Sequence, residues 1–341
     1  MDLLPKPRGL RQAAGFIRRM LRNDRTTGDH VPFNLPLMAR QLAELLSTTV
    51  ATLEARPQPW GASGALYALT FADAQGAARR LVLKQVPDTA AFAFYTDVLR
   101  PLDLDSPRMY GVVEVDGQRF LVMERVPQLK GIPVEQKLED GIRWLLKKDH
   151  AIRARLRQTA AHLSVTPSAR DAAIPGWVAA VERGLARRRG LLIAGRLTRL
   201  LVDHGHVLRE LDRVLVTETP LTVSHNDLHP DNLLVSASPR GRLFVVDWLP
   251  SVDSILIDLV TLVREVKGKT RERLIGQYRS EMDFPGFDRA LRAASLLAAL
   301  EWLADLLSGE MGEGNGISPA LARRAARVYD LLTDLGQEAV R

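Results

Sequence analysis

Phosphoryl transfer asks for little covalent chemistry from a protein. One carboxylate takes the proton of the acceptor hydroxyl, while an amide and a second carboxylate hold magnesium against the phosphates. The stretch SHNDLHPDNLLV, Ser224 to Val235, followed by LFVVDWLP, Leu243 to Pro250, carries residues of these types in a suitable order. Asp227 and Asn232 stand in the spacing D-x-x-x-x-N, with His225 two residues before the Asp, and Asp247 ends the second apolar run. Strand-like runs after each polar cluster, and a turn at Ala237-Ser238-Pro239-Arg240-Gly241, predict a hairpin whose ends carry Asp227, Asn232 and Asp247. An isolated Asp or His is most often a cap or a turn residue. The ordered set points instead to a site.

HNDLHPDN and VVDW resemble the signature of the aminoglycoside phosphotransferase and choline kinase family of small-molecule kinases, roughly HxDLHPxN followed by an (I/V)D(W/F) strand end. The resemblance covers about residues 55–310 and is specific at 224–235 and 244–258. It implies that Asp227 is the catalytic base, that Asn232 and Asp247 are magnesium ligands, and that His225 and His229 brace the loop. ILIDLV, with Asp258, is similar to the family's YDLA segment, whose Asp supports that loop. Asn226 and Asp231 stand where the family frequently has Gly, and Asp231 puts an extra carboxylate beside a metal ligand.

A nucleotide, ATP with GTP as the alternative, must be held for such a site to work, and the first half of the chain supplies candidates. Gly61-Ala62-Ser63-Gly64 precedes the strand LYALTF, and after a turn at Asp73 to Gly76 comes RLVLKQV with Lys84 near its end. A loop with Gly61, Ser63 and Gly64 lets backbone amides approach phosphates, and a Lys on the third strand holds the α and β phosphates. A helix is predicted over Thr89 to Arg100, with Asp88 as cap and Phe92, Tyr95 and Leu99 on one face. There the resemblance implies a Glu that binds the strand Lys, but the residue is Ala91, which leaves Asp97 or Asp88 as candidate substitutes. MYGVVEV and QRFLVMERV flank Asp116-Gly117, a strong hairpin signal. LVMERV resembles the family's hinge, which implies that Glu124 and Val126, near Met123, offer backbone groups to adenine. Pro127 and Pro133 mark a boundary.

The remaining elements read as helices. Residues 1–25 form a basic amphipathic helix, Asn23 to Pro36 a linker, and Leu37 to Ala55 a second helix. From Val134 to Glu218 the pattern is helical. It includes His162, more often a packed polar residue than a ligand, and the segment Arg183 to Arg199, which could clamp an acidic partner. After Asp258 the chain is helical except at Phe284-Pro285-Gly286 and Gly309 to Pro319. By resemblance these last helices wall the acceptor site, which makes Glu281, Asp283, Glu301 and Asp305 candidates for a cationic substrate.

A chain of 341 residues accommodates about two domains. The absence of cysteine excludes a disulfide framework and a thiolate metal site and agrees with a cytoplasmic location. No run of about 18 apolar residues exists to span a membrane. The basic residues lack the interleaved aromatics that stacking on nucleic acid needs. The expected fold is α+β and protein-kinase-like, with two lobes: a small antiparallel sheet, then a mainly helical part. The expected divisions are 1–55, a helical extension; 56–130, the nucleotide-binding lobe; and 131–341, the helical lobe with the catalytic loop and acceptor site. The expected activity is ATP- and magnesium-dependent phosphorylation of a small-molecule hydroxyl on an aminoglycoside-like antibiotic, an amino alcohol or a sugar. Two other readings stand beside it: a kinase for Ser or Thr of a peptide, and a nucleotide-binding pseudokinase scaffold.

Overall fold

Asn34 opens the first described helix, α1 (Leu35–Leu46), by accepting the Leu37 N–H, with Pro36 in the first turn, where its missing N–H costs nothing. Ser47, at φ 50°, closes it in the left-handed conformation. The structure, a computed structural model, describes residues 31–58, 65–87, 89–159, 170–187, 194–203, 205–237, 240–309 and 319–338. The helix expected from Leu37 to Ala55 therefore stops at Leu46, and Ala51–Gln58 is strand β1. The β-branched run Thr48-Thr49-Val50 favours extended backbone once Ser47 has ended the helix. Position 55, the expected end of the extension, lies inside β1.

β2 (Leu66–Ala72) and β3 (Ala78–Val86) follow, then a short helix α2 (Ala90–Phe94) that runs on as a π turn over Tyr95–Leu99, then β4 (Met109–Val115) and β5 (Gln118–Glu124). The sheet order is β1-β2-β3-β5-β4, antiparallel throughout. Alternation sends Tyr67, Leu69, Phe71, Leu81, Leu83, Phe120 and Val122 to one face, where they form a core with Met38 and Leu42 of α1. Phe33, Tyr67 and Phe120 meet there edge to face, with ring centres 5.1–6.1 Å apart. The other face carries the half-buried Ala68, Val82 and Lys84, with Lys84 paired across the ladder to Leu66 and Leu121. Asp116 and Gly117, at φ 53° and 72°, make the predicted tight hairpin between β4 and β5. Gln41 of α1 accepts the Glu114 N–H at 2.8 Å and donates to its carbonyl, so the helix covers an edge of the sheet.

The chain divides between Leu129 and Lys130, inside the stretch bounded by Pro127 and Pro133. Residues Lys130–Leu233 and Trp248–Arg341 form the second unit, while Leu234–Asp247 belongs with the sheet. Beyond the boundary come helices α3 (Val134–Thr159), α4 (Arg170–Ala186), α5 (Ala194–Asp203) and α6 (Gly205–Glu218), and then strand β6 (Leu221–Ser224). A single 3-10 turn at Pro230–Asn232 leads into β7 (Leu233–Ala237), β8 (Arg240–Val245) and β9 (Ser251–Ser254). The chain ends in α7 (Ile255–Leu262), α8 (Gly268–Met282), α9 (Phe287–Gly309) and α10 (Pro319–Glu338), with the expected break at Phe284-Pro285-Gly286 between α8 and α9. β6 pairs with β9, and β7 pairs with β8. β7 is also tied to the segment before the boundary, through the Leu129 N–H to the Val235 carbonyl at 2.8 Å and the Ala237 N–H to the Pro127 carbonyl at 2.7 Å.

Candidate active site

The loop that carries Asp227 leaves β6 after Ser224, which pairs with Ser251 of β9. Its first two backbone amides end on one buried carboxylate. Asp258, in the first turn of α7 and fully buried, accepts the His225 N–H at 2.9 Å and the Asn226 N–H at 3.0 Å. Lys148 of α3, also fully buried, places Nζ 2.6 Å from Asp258 Oδ2, and 3.1 Å from both the Val223 carbonyl and Asp149 Oδ1. The Tyr278 hydroxyl donates to Asp149 Oδ2 at 2.7 Å. Burial alone would push the Asp258 carboxyl up, but the Lys148 charge, His225 and the hydrogen bonds outweigh it and hold it below the ordinary carboxylate range. Burial raises Asp149 and Tyr278, so Asp258 is the ionised partner of Lys148. The supporting role of Asp258 was implied by the resemblance, whereas Lys148, Asp149 and Tyr278 were not singled out. A signal existed: Lys148 and Asp149 interrupt the buried stripe Leu138, Ile142, Leu145 and Ile152 of α3.

Asn226 takes φ 64°, in the left-handed region. Gly enters that region freely, and Asn is among the few side chains that tolerate it. Its Nδ2 donates to the Leu249 carbonyl at 2.6 Å and to Ser251 Oγ at 2.8 Å, which fixes the bend. His225 is fully buried, with its ring 4.8 Å from that of Trp248, and its Nδ1 accepts the Asp227 N–H at 3.3 Å. His229 Nδ1 accepts the Asp231 N–H at 3.3 Å, and its Nε2 lies 3.5 Å from Asp227 Oδ2. Asn232 Nδ2 donates to the Asp227 carbonyl at 2.8 Å and lies 3.4 Å from its Oδ2. With the amide NH2 spent in this way, Asn232 Oδ1 is left as the acceptor. Asp231 is 90% exposed.

Two acids and two arginines lie around Asp227. Arg264 Nη1 lies 3.9 Å from Asp227 Oδ1, and its guanidinium lies 4.3 Å from the centre of the Trp302 ring. Arg324 lies 3.5 Å from the same ring. Glu301 is open to water yet walled by protein on most sides. Desolvation first, then Asp305, with smaller contributions from Asp253 and Asp227, push it up to about 7 against the pull of Arg170. Desolvation also raises Asp305, with Arg324 opposing. Arg170 is itself buried between Asp212, at 3.0 Å, and Asp253. Of the four acids proposed for a cationic acceptor, Glu301 and Asp305 thus share the electrostatic surroundings of Asp227. Glu281 lies 3.6 Å from His150, and Asp283 accepts from Arg279 at 3.2 Å.

Within the sheet unit, Lys84 pairs with Asp247, and the two side chains are 18% and 22% exposed. Asp97, expected as a substitute partner, instead accepts from the Thr96 hydroxyl at 2.9 Å and faces solvent. The β7–β8 hairpin belongs to the sheet unit and ends at Asp247, so it delivers the carboxylate that α2 lacks. The Glu124 N–H donates to the Arg108 carbonyl at 2.8 Å, and Glu124 pairs with Leu81 across the ladder. Met123 and Val126 are nearly buried. Gly61, Ser63, Gly64, Asp88, His162 and the basic helix of residues 1–25 lie outside the described residues.

Asn232 Oδ1 in the helical unit and the Asp247 carboxylate in the sheet unit each offer oxygen, the ligand type that magnesium takes. No cluster of three or more His, Cys, Asp or Glu suited to a metal occurs among the described residues.

A model of the phosphotransferase enzyme family matches residues 54–290. No curated protein matches the chain. Choline kinase LicA from Streptococcus pneumoniae shares the fold with a TM-score of 0.55 at 14% identity, over 88% of this chain and 98% of that one. A variant of aminoglycoside 2′-phosphotransferase IIIa, bound to GDP, gives 0.55 at 15% identity, over 90% and 99%. A thermostable aminoglycoside phosphotransferase APH(4)-Ia, in a ternary complex with ADP and hygromycin B, gives 0.54 at 14%, over 86% and 97%. The fold is therefore the kinase-like one expected from the sequence.

Proposed function

The chain belongs to the phosphotransferase enzyme family, and we propose that it transfers the terminal phosphoryl group of ATP to a hydroxyl of a small molecule, an aminoglycoside-like antibiotic, an amino alcohol or a sugar. The observation that carries this reading is the Asp227 loop. Buried Asp258 and Lys148 fix its backbone, Asn232 and His229 flank its carboxylate, and the Asp227 side chain is left 34% exposed. An accessible carboxylate on a rigid loop is what a general base requires.

In this reading Asp227 orients the acceptor hydroxyl and takes its proton. Asn232 Oδ1 and Asp247 would hold magnesium, which would supply positive charge against the phosphoryl oxygens. Lys84 would leave its pair with Asp247 to hold phosphates, Gly61, Ser63 and Gly64 remain the candidates to offer backbone amides, and Met123, Glu124 and Val126 would line the base. The reading of the nucleotide draws support from fold relatives bound to AMP, GDP and ADP. GTP is the alternative donor.

The test is magnesium-dependent nucleotide turnover with choline, hygromycin B, other aminoglycosides and sugars as acceptors, for wild type, Asp227→Ala and Asp247→Ala. Acceptor-stimulated turnover should fall by at least about 100-fold in both variants. Turnover unchanged in Asp227→Ala would remove the base from the mechanism.

A further inference from the structure

Arg264 sits in the turn after α7, one quarter exposed, with its guanidinium laid on the Trp302 ring at 4.3 Å. Taking a cation this far out of water costs energy, and the indole face offsets part of it through the attraction between a planar cation and a π system. The side chain is thereby held in one place, with Nη1 3.9 Å from Asp227 Oδ1. Asp227 needs such a neighbour. Its Oδ2 has two long contacts, Asn232 Nδ2 at 3.4 Å and His229 Nε2 at 3.5 Å, both weaker than ordinary hydrogen bonds. Among the described residues the charged neighbour of Oδ1 is Arg264. At 3.9 Å the guanidinium attracts Oδ1 without occupying its lone pairs, so that oxygen stays available to a hydroxyl.

We propose that Arg264, seated on Trp302, is a positioning residue that turns the Asp227 carboxylate so that Oδ1 faces the acceptor hydroxyl. The inference rests on Asp227 being the base. Trp302 acts through Arg264, and Arg324, 3.5 Å from the same ring, packs the stack from α10.

The experiment combines MgATP turnover, with water as acceptor and with hygromycin B and choline, with crystal structures of the variants. Arg264→Ala should lower kcat by about 10- to 100-fold, the range expected for a misplaced reacting group, with KM for MgATP unchanged. Arg264→Lys should recover part of the loss, because it keeps the charge. Trp302→Leu should lose less than Arg264→Ala, and the double variant should be no worse than Arg264→Ala alone. The Asp227 side chain should change rotamer in the Arg264→Ala crystal structure. The proposal is overturned if Arg264→Ala keeps both kcat and the Asp227 rotamer while Asp227→Ala is inactive, or if the two single losses multiply in the double variant. Full turnover in Asp227→Ala would instead remove the base itself, and the inference with it.

Discussion

Replacing Lys148 with Met keeps most of the volume of the side chain and removes the ammonium. Lys148 Nζ serves Asp258 at 2.6 Å, the Val223 carbonyl at 3.1 Å and Asp149 at 3.1 Å, and the Lys148, Asp149 and Asp258 side chains are fully buried. The variant leaves Asp258 as a buried charge without its partner, a situation that costs about 3–5 kcal/mol. Asp258 can escape by taking up a proton. At pH 7, protonating a carboxyl with an ordinary pKa costs about 4 kcal/mol, so escape does not lower the figure much. For a unit of this size, about 2–4 °C of Tm per kcal/mol gives a drop on the order of 10 °C. Urea unfolding followed by tryptophan fluorescence suits the question, because Trp144, Trp177, Trp248 and Trp302 all lie in the helical unit. The sign with pH also follows. Asp258 is depressed below 3.8, so its contribution is fully present above that value and is lost as pH falls through its lower folded value, where wild type and variant should converge. Changing Asp258 to Asn in the Lys148→Met background keeps an acceptor for the loop amides and removes the stranded charge, and should restore about 1–3 kcal/mol. A Lys148→Met loss under about 1 kcal/mol, or a double variant that loses the sum of the singles, would refute the account.

Glu301, pushed up from 4.5 to about 7, contributes stability that is complete below 4.5 and is lost as pH rises through about 7. Wild-type Tm should therefore fall more steeply than that of Glu301→Gln between pH 5.5 and 8.5, as parallel melting curves would show. Asn226, at φ 64°, should tolerate Gly better than Ala by about 1 kcal/mol in chemical unfolding, since both lose the bonds to Leu249 and Ser251 but only Ala adds left-handed strain. Gly184 of α4 meets α9 so closely that an added Cβ would stand 2.7 Å from Leu307 Cβ. Gly184→Ala should thus cost about 1–3 kcal/mol, less the better helix propensity of Ala, with kcat unchanged below the melting range.

The sheet was legible because its signals are local. Alternation in LYALTF and RLVLKQV and the Asp116-Gly117 turn each need only a few residues, and β2 to β5 form where those residues place them. The helix expected over 37–55 fails for an equally local reason that is harder to read, since nothing about Ser47 announces φ 50°. The Asp227 loop was legible as a motif, with Asp258 as its support, but the partners of Asp258 were not. Lys148 reaches Asp258 across 110 residues, and Arg170 reaches Asp253 across 83. Arg264 and Trp302 meet with a whole helix, α8, between them in the chain. Contacts of that span leave no periodicity, and the only local trace is a charge set into an apolar stripe, as at Lys148.

Ala91 is the place where the motif reading met its sharpest departure, and the structure supplies a physical resolution. A strand Lys that is 18% exposed cannot remain without an acid nearby at small cost. The resemblance implied a Glu for that need on the helix after the strand; in this chain α2 carries Ala91, and Asp97 is turned to solvent and accepts from Thr96. The compensating carboxylate comes from Asp247, 163 residues further on, because the β7–β8 hairpin belongs to the unit that contains the sheet. Lys84 is thus balanced within the sheet unit by the acid of the VVDW motif. This pairing gives Asp247 two duties in the proposed mechanism, balancing Lys84 and holding a cation, and the positive φ of 66° that Asp247 adopts is a conformation that needs such tertiary support to persist.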